Sequence, residues 1–203
     1  GLSFYPFEDV PHRPAVTVDG HVILAVLPGT EKYRGTDPHL AMLDTDGGIP
    51  NATYAGPALG EELTYIQYPF LVATPDSKAV YLTGLGKGPK KPAHAIYRAK
   101  LPERGPSEVW FGEPAKEGGD TTHLSDPRGL ALDGQGHVLV ADFGNNRVVV
   151  LNEKDRSLAG EFKVQAPTWL GVHPKSGAIY VQSGDEVVKF SRSTGSGQAG
   201  WKD

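Results

Sequence analysis

The sequence predicts an all-β fold of four-stranded antiparallel blades, and three observations carry that prediction. Short β-branched and apolar runs end repeatedly in Gly, Pro, Asp or Asn, and the chain holds 26 Gly and 17 Pro among its 203 residues. Such punctuation leaves little room for long helices. Nowhere do apolar residues recur at helical spacing over three turns. A strand–turn–strand pattern returns four times along the chain.

The recurring unit occupies residues 15–25, 71–84, 129–142 and 170–183. Each is an apolar strand, a turn of Asp, Gly, Pro, Ser or Lys, and a second apolar strand. Val22, Val80, Val138 and Ile179 hold the same place, at spacings of 58, 58 and 41. A third strand follows at 40–44, 95–101, 147–152 and 186–191, and a fourth at 108–112 and 159–164. The second strands (22–24, 80–82, 138–140, 179–181) are apolar on both faces, as a sheet sandwiched between two neighbours requires. Four antiparallel strands at this period make a β-propeller blade. The chain is therefore expected to be a single propeller segment over 1–203. Its blades fall near 10–60, 65–115, 125–165 and 166–203, and residues 1–9 form the outer strand of a preceding blade.

Residues 126–152, DPRGLALDGQGHVLVADFGNNRVVVLN, carry a family resemblance. The segment resembles an NHL repeat, with its P-x-G-[IVL]-A run, a D-x-x-G-x-[IVL]-[YL]-V-A-D strand and a G-N-N-R-[IV] turn. The fourth unit matches less well, because Trp169 and residues 182–184 depart from the pattern. The first two share only the strand pattern. The resemblance implies a propeller that closes with six blades, of which this chain supplies about four as a fragment. Further blades, or another chain, would complete it. It also implies a secreted or surface protein of a bacterium. An open run of blades exposes apolar faces, so a free-standing monomer is not expected.

Composition narrows the partners. The net charge of −4 and a pI near 6.0 argue against nucleic acid, which asks for a basic excess. Cysteine is absent, which removes disulfides and thiolate chemistry and fits an extracellular or periplasmic location. No apolar stretch approaches the length of a membrane span.

In a propeller the loop leading into each first strand and the loop joining the second and third strands meet at one end of the blade. The lead-in loops are expected at 10–14, 65–69, 119–127 and 165–168, and the joining loops at 28–39, 85–94, 143–146 and 183–185. Two of the joining loops are long insertions, the usual place for binding residues on a rigid scaffold. They carry Arg34, Lys87, Lys90, Lys91 and His94, and residues 87–104 hold six basic side chains against one acid. That patch suits an anionic ligand; a merely solvated loop is the competing reading.

Asp120, His123, Asp126 and Arg128 gather at the third lead-in loop, with Asp142 and Asn145 nearby. An Asp/His/Arg group can do acid–base work. The same residues also have structural duties. Asp126-Pro127 initiates a tight turn, Asn145 and Asn146 tolerate left-handed backbone, and Arg147 can pair with a carboxylate. His12, His39, His94 and His123 fall on the channel side, without any H-x-H or H-x-x-x-H spacing. His21, His137 and His173 fall in hairpins at the other end.

The Asp142-Phe143-Gly144 triplet lacks the kinase motifs that would give it meaning. Gly84–Pro92 lacks P-loop spacing. The function expected is therefore a binding or scaffold module that recognises a protein, small molecule or carbohydrate on its channel face. Aromatics at Tyr33, Tyr65, Tyr68 and Trp169 are expected to contribute. The alternative is a lactonase-like or lyase-like enzyme with a divalent metal in the channel, held by residues such as Asp120, His123, His94 and His12.

Overall fold

The computed structural model describes residues 15–26, 39–43, 55–58, 65–86, 91–101, 107–192 and 201–202. In each of its repeats a polar side chain of the first hairpin accepts from nearby backbone N–H groups: Thr17, Thr74, Asp133 and His173. Thr17 Oγ1 donates to Asp19, and Thr74 Oγ1 donates to Asp76 at 2.6 Å. In the third repeat Asp133 Oδ1 accepts Gln135 N at 2.7 Å and His137 N at 3.1 Å. In the fourth, His173 Nδ1 accepts Ser176 N at 3.2 Å. Short polar side chains that bond to nearby backbone fix such turns. His137 and His173 are hairpin residues, as expected.

Each hairpin continues into an antiparallel sheet. The first sheet runs β1 (Ala15–Val16), β2 (Val22–Val26), β3 (His39–Leu43), β4 (Ala55–Ala58). The second runs β5 (Tyr65–Ala73), β6 (Ala79–Gly86), β7 (Ala95–Lys100), β8 (Glu108–Gly112). The third is β9 (Pro127–Leu132), β10 (His137–Asp142), β11 (Arg147–Asn152), β12 (Leu158–Lys163), and the fourth is β13 (Pro167–Val172), β14 (Ile179–Ser183), β15 (Glu186–Arg192), β16 (Trp201–Lys202). Neighbours in sequence are neighbours in every sheet, the meander of a propeller blade. Among the described residues the only helical element is one 3₁₀ turn, Phe143–Asn145. The fold is all-β, built of β-propeller blades.

Two local expectations need correction. The lead-in loop expected at 65–69 is strand, with Tyr65 paired to Gly86 and Ile66 to Leu85. The register shifts between Ile66 and Phe70, so Pro69, which has no N–H to give, sits where the ladder is interrupted. Strand β6 likewise runs on to Gly86, shortening the loop expected from 85. The four-stranded blades that were expected are found in the first and last sheets as well, whose fourth strands are β4 and β16. Their sequences, Ala-Gly-Pro-Ala and Trp-Lys, carry no strand pattern of their own. The strand expected within residues 1–9 lies outside the described residues.

The chain divides into two compact units. Unit 1 holds residues 1–93 and 97–109, and unit 2 holds residues 94–96 and 110–203. In unit 1, β6 is buried along its whole length. In unit 2, blades 3 and 4 pack face to face through Leu139, Ala141, Val148 and Val150 against Leu170, Ile179, Val181 and Phe190. Each side chain of Val, Leu or Phe taken from water there contributes about 1.5–3 kcal/mol. Val138 and Val140, on the other face of β10, are as fully buried as Leu139, which is why this strand lacks alternation. The outermost strand β12 does alternate, half-buried with exposed. Gly129 lets the blades meet: a Cβ there would lie 3.0 Å from Trp169 Cα and 3.1 Å from Thr168 O.

Candidate functional site

The end of blade 3 is built around one buried ion pair. Asp142 closes β10 and Arg147 opens β11, so the 3₁₀ turn between them returns the chain and sets the two side chains together. Asp142 is fully buried; its Oδ1 accepts Ser125 N at 2.7 Å, and its Oδ2 accepts Asn145 Nδ2 and Arg147 Nε, both at 2.8 Å. Burial pushes its carboxyl above the usual carboxylate range, while these donors pull it back. Asn146 supports the turn at φ 52°, a left-handed backbone that asparagine tolerates.

Arg147 spends all five of its N–H donors. Beyond Asp142, its Nη1 donates to Gly119 O and Glu161 Oε2 at 2.8 Å, and its Nη2 donates to Asp120 O and His123 O at 3.0 Å. The guanidinium therefore staples the 118–124 loop to the blade. Asn145 adds a second tie, donating to Gly118 O at 2.7 Å, and Gly144 N donates to Ser125 O at 2.8 Å. Within blade 3 the lead-in loop and the joining turn meet at one end, as connectivity predicted.

Inside that loop Asp120 Oδ1 accepts Thr122 N at 2.8 Å, Thr122 Oγ1 at 2.9 Å and His123 N at 2.9 Å. The Thr122 N–H above all, then His123, holds its carboxyl far below the usual range. His123 is buried, with Nδ1 2.8 Å from Asp120 and Nε2 3.2 Å from Glu113 Oε1. His94 Nδ1 accepts Asp126 N at 3.2 Å. A peptide N–H can only donate, so Nδ1 is the acceptor and a neutral ring carries its proton on Nε2. Arg128 lies on the Phe143 ring, 3.4 Å from its centroid, and donates to Asp126 Oδ2 at 2.8 Å.

The described members of the metal set do not fit a metal. Binding through His94 Nε2 would move the proton to Nδ1, against the Asp126 N–H. His123 is taken up by two carboxylates. Among the described residues no three His, Asp or Glu are grouped to hold an ion. The side chains of His12 and His39 lie outside the described residues.

The other expected residues distribute as follows. Arg34, Lys87 and Lys90 lie outside the described residues. Lys91 is exposed and belongs to unit 1, whereas His94, Asp120, His123, Arg128 and Asn145 belong to unit 2. Trp169 sits within β13, where a Cβ on Gly171 would lie 2.9 Å from its Cη2. Tyr65 and Tyr68 fall within β5.

One feature escaped sequence reading. An open cleft of about 560 Å³ lies beside the stapled loop, lined by Gly119, Asn145, Asn146 and Arg147 together with Glu161, Phe162 and Lys163 of β12. The pairing of β11 with β12 sets Glu161 and Lys163 beside the turn, and the hydrogen bonds of Arg147 and Asn145 bring Gly119 to it.

The NHL repeat family matches residues 124–151. No curated protein matches the chain. Hydrazine synthase of Kuenenia stuttgartiensis shares the fold at a TM-score of 0.59 and 13% identity, over 90% of this chain and 58% of that one. The calcium-binding protein regucalcin of Agrobacterium tumefaciens superposes at 0.55 with 16% identity, over 86% and 53%. A gluconolactonase of Xanthomonas campestris does so at 0.54 with 20% identity, over 88% and 57%. The chain thus spans little more than half the length of these structures, and at such identities the likeness is one of fold.

Proposed function

Taking as premise that this chain is a β-propeller segment with an NHL repeat at residues 124–151, we propose that it is a binding module. Its recognition surface is the end of blade 3, where the 118–126 loop meets the 143–146 turn. The saturation of Arg147 carries the reading. Its five hydrogen bonds, with Asp142 buried behind it, hold the 118–124 loop rigid. Preorganisation of that kind lowers the entropic cost of holding a partner. The polar groups of the cluster are tied to backbone or to one another, an arrangement suited to shape rather than to proton transfer. Arg34, Lys87, Lys90 and Lys91 belong to the same reading as a basic patch that would add anionic partners. The absence of cysteine suits an extracellular or periplasmic setting.

Presenting the immobilised chain with a phage-displayed peptide library and with a panel of immobilised glycans tests the reading. Selection is expected to enrich binders that are lost when exposed Thr121 or Asn146 is replaced by Arg. No enrichment from either collection, or binders indifferent to both substitutions, would overturn it. Turnover of a lactone panel dependent on added divalent metal would instead favour the enzyme alternative.

A further inference from the structure

We infer that the cleft at the end of blade 3 takes a neutral saccharide; this rests on the binding-module reading and specifies its ligand. Two cations line the cleft, the exposed Lys163 and Arg147, and the Arg147 guanidinium is not available to an anion. Every N–H it owns is already donated to Asp142, Gly119, Glu161, Asp120 or His123.

What the cleft offers is a mixture. Glu161 places Oε2 on Arg147, which leaves Oε1 as an acceptor. Asn145 commits both amide hydrogens, to Gly118 and Asp142, and leaves Oδ1 as a second acceptor. Asn146 commits Oδ1 to Ala166 N at 2.8 Å and leaves its amide N–H₂ to donate. The exposed Lys163 ammonium, on the same face of β12 as Glu161, is the other donor. Donors and acceptors thus stand side by side around one cleft of about 560 Å³, within the range that holds small molecules.

A ligand that only accepts, such as phosphate, would face Glu161 and Asn145 Oδ1. One that only donates would face Lys163 and the Asn146 amide. A hydroxyl does both, and a ring bearing neighbouring hydroxyls can satisfy such an array with no charge to desolvate. Gly119 keeps the cleft open, since a Cβ there would sit 3.1 Å from Asn145 Oδ1 and cover that acceptor.

Isothermal titration of the full 203-residue chain with cellobiose, maltose and lactose, and in parallel with inorganic phosphate and glycine, tests the inference. At least one disaccharide is expected to bind saturably. Gly119→Ala and Lys163→Ala should each weaken it by about tenfold or more, with melting temperature unchanged in Lys163→Ala. Binding of phosphate or glycine in place of the sugars, sensitive to the same two substitutions, would overturn the ligand class and leave the module reading standing. Saturable sugar binding that ignores both substitutions would overturn the site. No saccharide binding at all sinks the inference, and the library selection then judges the module by itself.

Discussion

Arg147 Nε donates to Asp142 Oδ2 at 2.8 Å with both residues removed from water, and this pair joins the second and third strands of blade 3 to the loop that leads into the first. A lone buried charge is far worse than a buried pair. Arg147→Met is therefore expected to cost about 3–5 kcal/mol in urea unfolding, because it strands the Asp142 carboxylate. Arg147→Lys should recover little, since an ammonium cannot reproduce a five-donor fork. The double substitution Asp142→Leu/Arg147→Met should cost clearly less than the two singles summed. Additive singles would show that the pair is not coupled.

Gly129 sits where two blades touch through backbone. A Cβ there would meet Trp169 Cα, Leu170 N and Thr168 O at 3.0–3.1 Å. None of these can swing aside as a side-chain end would. Gly129→Ala should cost about 1–3 kcal/mol through overpacking. Gly134→Ala, whose Cβ would enter open space at φ 70°, should cost about 1 kcal/mol from backbone strain alone. Equal costs in thermal unfolding would show that the blades yield at Gly129.

Asp120 sets a sign for the acid limb of stability. Its folded carboxyl lies far below the ordinary value of 3.8, chiefly because the Thr122 N–H donates to it. The stabilisation is therefore present above that value and fades as pH falls below it. Asp120→Ala should be less stable than the parent by a constant margin above pH about 5, and the margin should shrink toward pH about 3. Asp19, Asp76 and Asp155 are lowered in the same direction. Asp142, raised by burial, acts oppositely: its ionisation costs stability as pH rises from 3.8 toward its folded value. A margin that widens in acid would contradict the Asp120 assignment.

His94 should be a fixed tautomer. With the Asp126 N–H donated to Nδ1, long-range ¹H–¹⁵N spectra at neutral pH are expected to show Nδ1 as the acceptor nitrogen and Nε2 as the protonated one. The reverse assignment would mean that the contact does not persist in solution. His94→Ala should leave the Asp126 N–H, on a residue held at φ 49°, without its side-chain acceptor and cost about 1–2 kcal/mol.

By itself the sequence determined the repeat. Strand periodicity and turn residues are local properties, written within ten residues of where they act. Glu108–Gly112 and Arg147–Asn152 therefore occupy the residues that their patterns announced. The Asp142, Asn145 and Arg147 turn was legible for the same reason, because its geometry is set by adjacent residues. Strands β4 and β16 were not, since Ala55–Ala58 and Trp201–Lys202 become strands only because a neighbouring strand offers them a ladder. Tertiary structure alone decided the fate of the charged groups. Arg147 reads in sequence as one cation in a turn, and only the approach of residues 118–124 from far up the chain exhausts its donors. Glu161 and Lys163 read as the solvated half of an alternating strand. The pairing of β12 with β11 places them beside Gly119, and hydrogen-bond saturation, which no local pattern encodes, fixes what that cleft can hold.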